Sequence, residues 1–495
     1  MANIYHALKP DERRMMGVLS IFLGAIEREL AEHVLDAEGV TDIVQRLESL
    51  MHRHLIDEDE SERLHCHSLV RDYCYHILNR RDRERFHQLA AEYYEQERNY
   101  LSAAYHHFER KAYAQALDLL TTNSQAIING GGAATLIEPL KRFRRQDLNL
   151  DQRIALSKAL GEGYQIRGEY QAAIQAYESA LGEAPTELIR AELLRLIGNT
   201  HLKVGAYEQA LEYAARSLAT SQATEDHSNI AAAHLDMGWA CFRLVRMAEA
   251  SEHFNVSRQI GQELKAPLLL AKVYAGVGMV AWKTGRLDEA RARLEDSLRI
   301  YRDHHDRTGE ADTMGNLGLL YGEMGGLERQ MLYYQQALEI QESIGDVDGL
   351  RIAFNNLGYL YYSKGDYDQA ATYYNQLVHL AHDTGHQPML SIAYAGLADA
   401  YRNLDQLSEA LVTARKAVQI ASELSSVMEL GVSYRALGDV WLSLSEWVRA
   451  REAFESSLPL LERAHEEIEM NRARQGYSVA NASLADAQSR HIAGG

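Results

Sequence analysis

A glycine recurs at forty-residue intervals through the second half of the chain, at Gly198, Gly238, Gly278, Gly318 and Gly358, with Ala398 in the next place and Gly438 after it. Twelve residues beyond each stands a second small side chain, Ala210, Ala250, Ala290, Ala370, Ala410 and Ala450, with Gln330 the exception. Small residues at two fixed phases of a sequence with helical periodicity are what antiparallel helices need where their backbones cross closely. A fixed long period means a stack of supersecondary units, each contacting only its neighbours. With only six prolines and 46% hydrophobic residues, that stack is expected to be an all-α solenoid.

The formal net charge of −19 argues against a non-specific binder of nucleic acid or of anionic membranes, because neither polyanion gains from an acidic surface. Cys66, Cys74 and Cys241 form neither a CxxC pair nor an even disulfide framework, which fits a reducing compartment. No apolar run approaches the length of a membrane span, about 18 residues, and the N-terminus has no signal-peptide core. A cytoplasmic location is expected.

The array can be phased from Leu160-Gly161 through Tyr164, Gly168, Tyr170, Ala173, Tyr177 and Ala180. Later units read Val277-Gly278, Trp282, Gly285, Leu287, Ala290, Leu294, Ser297, and the last reads Leu437-Gly438, Trp441, Trp447, Ala450, Phe454, Ser457. This order resembles the tetratricopeptide repeat: a Leu-Gly pair, an aromatic, a turn glycine, a second aromatic, Ala, a third aromatic and a final small residue. Eight units match, and the resemblance implies a right-handed superhelix. Val245, Asp405 and Ser445 replace the turn glycine and Gln330 replaces the small packing residue, so those turns and that crossing are expected to differ locally. The period exceeds the family's usual value of about 34 residues, as in the long-repeat subgroup of bacterial signalling ATPases.

Four segments follow: residues 1–84 as a winged-helix domain, 85–150 as a helical connector arm, 151–464 as the eight repeats, and 465–495 as a capping helix with a flexible tail. In the arm, Ala104, His107, Tyr113 and Ala116 keep the phase of a degenerate repeat, and Asn129-Gly130-Gly131-Gly132 is expected to break the helix. Near the N-terminus, Pro10-Asp11-Glu12 opens a helix, Gly24 allows a break, and Thr41 can cap a helix carrying Ile43, Leu47, Leu50 and Met51. Leu55-Ile56 and Leu64 with Cys66, separated by acidic residues, read as a two-stranded hairpin followed by a helix over Leu69 to Leu78.

This N-terminal segment resembles the winged-helix subdomain of STAND signal-transduction ATPases, including NB-ARC proteins and MalT-like regulators. The resemblance rests on Leu19-Ser20-Ile21-Phe22, on Leu47 to Leu55-Ile56-Asp57, and on His65-Cys66-His67-Ser68-Leu69-Val70-Arg71-Asp72-Tyr73. The last run is similar to the family's Met-His-Asp signature, of which only His67 is kept. The resemblance implies that His67 senses the β-phosphate of ADP held by a preceding nucleotide-binding domain. The chain itself has no GxxxxGK[ST] cradle, so ATP or ADP belongs to that missing domain and no cofactor is expected here.

His52, His54, His65, His67 and Cys66 lack zinc-ligand spacing, and alternating strand residues face opposite ways, so no metal site is expected. Residues 1–80 hold nine Lys or Arg against fifteen Asp or Glu, and the wing reads Asp57-Glu58-Asp59-Glu60, which phosphate would repel. The inner groove is the more useful candidate. Positions three before, two before, one after and four after each crossing glycine are expected to line it. They are Arg195 and Asn199; Leu235, Asp236, Trp239 and Phe242; Met279 and Trp282; Asn316; Asn355, Asn356, Tyr359 and Tyr362; Asp399 and Arg402; Arg435 and Asp439. Aromatic rings flanked by polar groups suit a ligand, although they also suit packing between neighbouring first helices. The lysines of a peptide-carboxylate clamp are missing, and no nucleophile, paired catalytic carboxylates or phosphate loop indicates an enzyme. Two functions remain: the sensor module of a STAND ATPase, in which an inducer, small molecule or peptide, relieves docking on the nucleotide-binding domain, and a stand-alone protein-protein interaction scaffold.

Overall fold

In the computed structural model, residues 5–493 are described, apart from 425 and 465. The described chain is helical except for one small sheet. It divides into two compact units, one of Met1–Ile128 with Ala134–Leu160 and one of Asn129–Ala133 with Gly161–Gly495.

The first unit begins with helix α1 (Pro10–Leu19), strand β1 (Ile26–Glu27), helices α2 (Arg28–Ala37) and α3 (Ile43–His52), strands β2 (Ile56–Glu58) and β3 (Arg63–Cys66), and helix α4 (Ser68–Ile77). Pro10 sits where a missing N–H costs nothing, and the Glu12 carboxylate takes the Lys9 backbone N–H at 2.8 Å. The strands pair antiparallel in the order β1-β3-β2, with Ile26 opposite Leu64 and Ile56 opposite Cys66. Buried Ile26, Ile56 and Leu64 join a core with Met15, Met16, Leu30, Val34, Leu47 and Leu50. The hairpin matches the sequence reading, whereas β1 was not foreseen, since two residues carry no periodicity. The residue before α3 is Asp42, in the left-handed region at φ 55°, and it rather than Thr41 is the helix boundary.

Helices Arg80–Gln96, Tyr100–Glu109 and Tyr113–Thr122 follow, and Ala104, His107 and Ala116 are buried. The glycine run does not end the helix. Ile128–Gly132 forms a π turn instead, a wider winding that glycine tolerates.

The period of the second unit is explained by its helices. His227–Arg243 and Met247–Glu263 are 17 residues each, as are Pro267–Lys283 and Leu287–Asp303, and three-residue turns complete the forty. The crossing glycines stand in mid-helix against the partner helix. A Cβ on Gly238 would lie 2.6 Å from Phe254 Cε1, one on Gly278 2.9 Å from Leu294 Cγ, and one on Gly358 2.8 Å from Tyr374 Cε1. Phe254 is also 2.5 Å from the Cβ that Gly276 lacks, and Gly396 and Gly476 stand likewise to Tyr374 and Phe454. Each ring therefore sits in a slot made by two glycines, one in its own repeat and one in the next.

In four of the repeats a buried serine adds a polar tie between the paired helices. Ser217, Ser257, Ser297 and Ser457 donate to the carbonyls of Ala191, Ala231, Ala271 and Gly431 at 2.7 to 2.8 Å. The turns that lack glycine were expected to differ, and they do not. Val245, Asp405 and Ser445 adopt φ of 60 to 62°, the left-handed conformation that Gly205, Gly285 and Gly365 adopt at 77 to 87°. The reason is the closing hydrogen bond, Arg246 N–H to the Cys241 carbonyl at 2.8 Å, the same as Arg286 to Ala281, which requires that backbone whatever the side chain. The Gln330 crossing does differ: Gly322 makes room for it, its missing Cβ lying 2.6 Å from Gln330 Nε2. The terminal helix runs Glu467–Ala493, so the stretch read as a tail continues the cap; residues 494 and 495 lie outside the described residues.

Candidate functional site

The positions expected from the sequence to line the groove fall into two chemically different stretches. In the third and fourth repeats they are largely apolar. Leu235 and Met279 are buried, while Trp239, Phe242 and Trp282 are half-buried. Trp239 meets Phe242 and Phe254 edge-on, with ring centres 5.7 and 5.6 Å apart, so part of its surface is already engaged in the core. The Lys283 ammonium lies 5.4 Å from the Trp282 ring centre, a cation–π contact. Alongside, Arg195 Nη1 is 3.5 Å from Asp236 Oδ2, and the Asn199 amide donates to Asp236 Oδ1 at 3.5 Å. Burial pushes the Asp236 carboxyl up, and the charges of Arg195 and Lys272 only partly oppose it. Asp236 also belongs to the row two before the crossing glycine, which abuts the preceding repeat at Gly276 and Gly396.

The second stretch is a charged network. Arg435, 2% exposed, holds both Asp399 carboxylate oxygens from Nη1 at 2.7 Å, Asp439 at 3.0 Å, and Glu469 from Nε at 2.6 Å. Arg472 donates to Asp399 at 2.9 Å and to Glu469 at 3.0 Å. Arg402 and Arg472 both approach the Tyr362 hydroxyl, each at 3.5 Å. Burial opposes ionisation of Asp399, but Arg435 and Arg472 outweigh it and hold the carboxyl below the usual range. Burial and Asp399 together push Asp439 up against the pull of Arg435. Two guanidinium groups, of Arg435 and Arg472, thus bind three carboxylates, while Arg402 acts on Asp399 and Asp439 through its charge. Glu469 and Arg472 were not among the sequence candidates because the terminal helix has lost the repeat motif, although Gly476 keeps its phase. Between the two stretches, Asn316, Asn355 and Asn356 are half-buried and Tyr359 is 45% exposed.

His67 is exposed at the residue preceding α4, and its carbonyl accepts the Arg71 N–H at 2.9 Å. Neighbouring His65 pairs with Asp59 at 2.9 Å. Among the described residues no group of three or more His, Cys, Asp or Glu is placed to hold a metal, and no helix is long and apolar enough to cross a membrane. A surface cleft of roughly 330 Å³ lies on the second helices of the fourth and fifth repeats, lined by Leu298, Arg302 and Tyr333 among others, and includes none of the groove candidates.

Family models for the tetratricopeptide repeat match residues 189–263, 269–329 and 333–381, and residues 392–423. The array is a tetratricopeptide-repeat solenoid. No curated protein matches the chain by sequence. Among solved structures, the chain is similar to a Signal Transduction ATPase with Numerous Domains (STAND) protein with a tetratricopeptide repeat sensor from Pyrococcus horikoshii. The identity is 17% and the TM-score 0.50, over 95% of this chain and 66% of that one, so the tetratricopeptide-repeat chain spans about two thirds of that protein's length. It is also similar to a Rap protein complexed with competence and sporulation factor, at 14% identity and a TM-score of 0.48 over 70% of this chain and 94% of that one. At these identities the likeness is one of fold.

Proposed function

We propose that the chain is the sensor and regulatory part of a STAND signal-transduction ATPase, in which an inducer occupies the inner face of the repeats and relieves autoinhibition. The observation that carries this reading is the half-buried aromatic stretch of Trp239, Phe242 and Trp282. It stands beside the polar Arg195, Asn199 and Asp236, the mixture of apolar surface and a few placed polar groups that a ligand requires. The carboxylates of the Arg435 network are bound by Arg435 and Arg472, whereas the third and fourth repeats offer ring surface next to Arg195 and Asn199 of the second. The N-terminal order of helix, strand, two helices, hairpin and helix supports the winged-helix reading. The fold likeness to a STAND protein with a repeat sensor extends along nearly the whole chain.

In this reading the partner in the resting state is a nucleotide-binding domain, with His67 directed at its nucleotide. An inducer acts only through its differential affinity for the released state; moving the balance from 1:99 to 99:1 requires about 10⁴-fold, or 5.5 kcal/mol. The test is to pass cell extract over the full chain and over its Trp239→Ala/Trp282→Ala variant, with native mass spectrometry of whatever is retained. A compound or peptide held by the wild type and lost from the variant is the expected result. Equal retention by both would refute the groove. A ligand that binds with no effect on association with a nucleotide-binding domain would favour a constitutive interaction scaffold instead.

A further inference from the structure

Repeat arrays are held by nearest-neighbour contacts, and the first and sixth repeats of this one are not neighbours. They nevertheless meet through a buried polar cluster. Tyr170, at the start of the second helix of the first repeat, donates its hydroxyl to Asp348, 178 residues away on the first helix of the sixth. Arg351 Nη2 donates to that hydroxyl at 3.0 Å and to Asp348 Oδ1 at 2.8 Å. Lys203, from the second repeat, takes the other carboxylate oxygen at 3.2 Å. His386, entering the seventh repeat, packs edge-on against the Tyr170 ring at 5.9 Å.

Two features separate this cluster from an ordinary surface ion pair. Arg351 is 1% exposed, so removing its partner strands a buried charge. Gly168 has a missing Cβ that would lie 2.4 Å from Arg351 Nη1, so the first turn of the array is shaped to admit the guanidinium. The cluster is also poised. Asp346 and Asp312 lie close enough to act on Lys203 along with Asp348, so three carboxylates face two cations. Burial and the surrounding carboxylates of Asp346, Asp348 and Asp306 push Asp312 up to about 7 against the pull of Lys203, so closure concentrates negative charge.

We infer that Tyr170, Lys203, Asp348 and Arg351 form a latch that fastens the first repeat to the sixth, fixes the pitch of the superhelix, and must open for the array to lengthen. The inference does not depend on the identity of an inducer, nor on the chain belonging to an ATPase. It gives a repeat array, otherwise a spring with graded extension, two discrete states. A ligand on the inner face that prefers the longer form would bind by releasing the latch.

The test uses spin labels on cysteines placed at exposed Gln175 and Gln376, one in each of the latched repeats, in the full chain carrying Cys66→Ser, with distances read by pulsed electron resonance. The latched chain is expected to give one narrow population. Asp348→Asn and Arg351→Gln are each expected to make a longer, broader population the majority, with helicity by circular dichroism unchanged. If Arg351→Gln loses helicity, Lys203→Gln serves in its place, since that side chain lies at the solvent edge of the cluster, and a longer population is again expected. A broad, long distribution in the unmutated chain, or one unaltered by Asp348→Asn and Lys203→Gln, would overturn the latch.

Discussion

Gly238→Ala and Gly315→Ala are the same chemical change at the middle of two equivalent helices, and the structure gives them opposite signs. Alanine in place of glycine favours a helix by about 1 kcal/mol. At Gly315 nothing lies within 4 Å of the added Cβ, so that gain is realised. At Gly238 the Cβ meets Phe254 Cε1 at 2.6 Å and Cδ1 at 2.7 Å, and the fully buried ring cannot retreat, because Gly276 confines it from the other side with a would-be Cβ contact of 2.5 Å. Overpacking of this kind costs about 1–3 kcal/mol, so after the helix gain of about 1 kcal/mol the net effect at Gly238 is destabilising by up to about 2 kcal/mol. The helix gain cancels between the two variants, which should then differ by the overpacking cost, about 1–3 kcal/mol. Repeat arrays unfold by segments, so the assay is native-state hydrogen exchange of helices 227–243 and 307–323 alongside urea denaturation. Adding Phe254→Leu to Gly238→Ala should recover part of the loss. A Gly238→Ala chain as stable as wild type, with unchanged protection in its helix, would refute the reasoning about close crossing.

Val245→Gly should stabilise its repeat by about 1 kcal/mol, since a β-branched residue is held at φ 62° where glycine carries no strain; urea midpoints check it. In the first unit, His87 and His106 face each other with Nδ1 atoms 2.8 Å apart. Burial lowers His87 to about 4, with Arg83 and Arg110 adding to it, and lowers His106 to about 3, with His87 and His107 adding to it. Both folded values lie below the ordinary histidine value, so the unfolded chain binds more protons. Stability is therefore present above about pH 6.5 and falls as the pH drops toward 4, at up to about 2.7 kcal/mol per pH unit for two groups. His87→Gln should shallow that slope in acid denaturation of the first unit. Arg435→Met leaves Asp399, Asp439 and Glu469 with Arg472 as the cation still bonded to two of them and should cost about 3–5 kcal/mol, read as lost exchange protection in helices 387–403 and 427–443. Adding Asp399→Leu should return a share of it.

The periodic part of the fold was legible because close crossing leaves a direct mark on composition: where two backbones touch, only Gly or Ala fits, and the chain repeats the contact every forty residues. The second glycine of each aromatic slot, at Gly276, Gly396 and Gly476, leaves the same kind of mark, offset by 38 from the first. Turn conformation was less legible, because Val245, Asp405 and Ser445 show that the closing hydrogen bond, and not the residue, sets the backbone. Strand β1 is too short to have a period. Contacts around the superhelix left no mark at all: nothing local in Tyr170 or Arg351 tells that 181 residues of chain bring them together. The row of groove candidates follows from the repeat phase, but its division into an apolar stretch and a charged one depends on Glu469 and Arg472, outside the recognisable motif.

The most direct test of the groove as the functional surface is calorimetric titration of a ligand retained by the wild-type chain into that chain and into its Trp239→Ala/Trp282→Ala variant. Truncating an aromatic anchor at a binding site costs about 2 kcal/mol or more, so the pair should raise Kd by roughly 1,000-fold while circular dichroism stays the same. A Kd unchanged in a variant that remains fully helical would contradict the account.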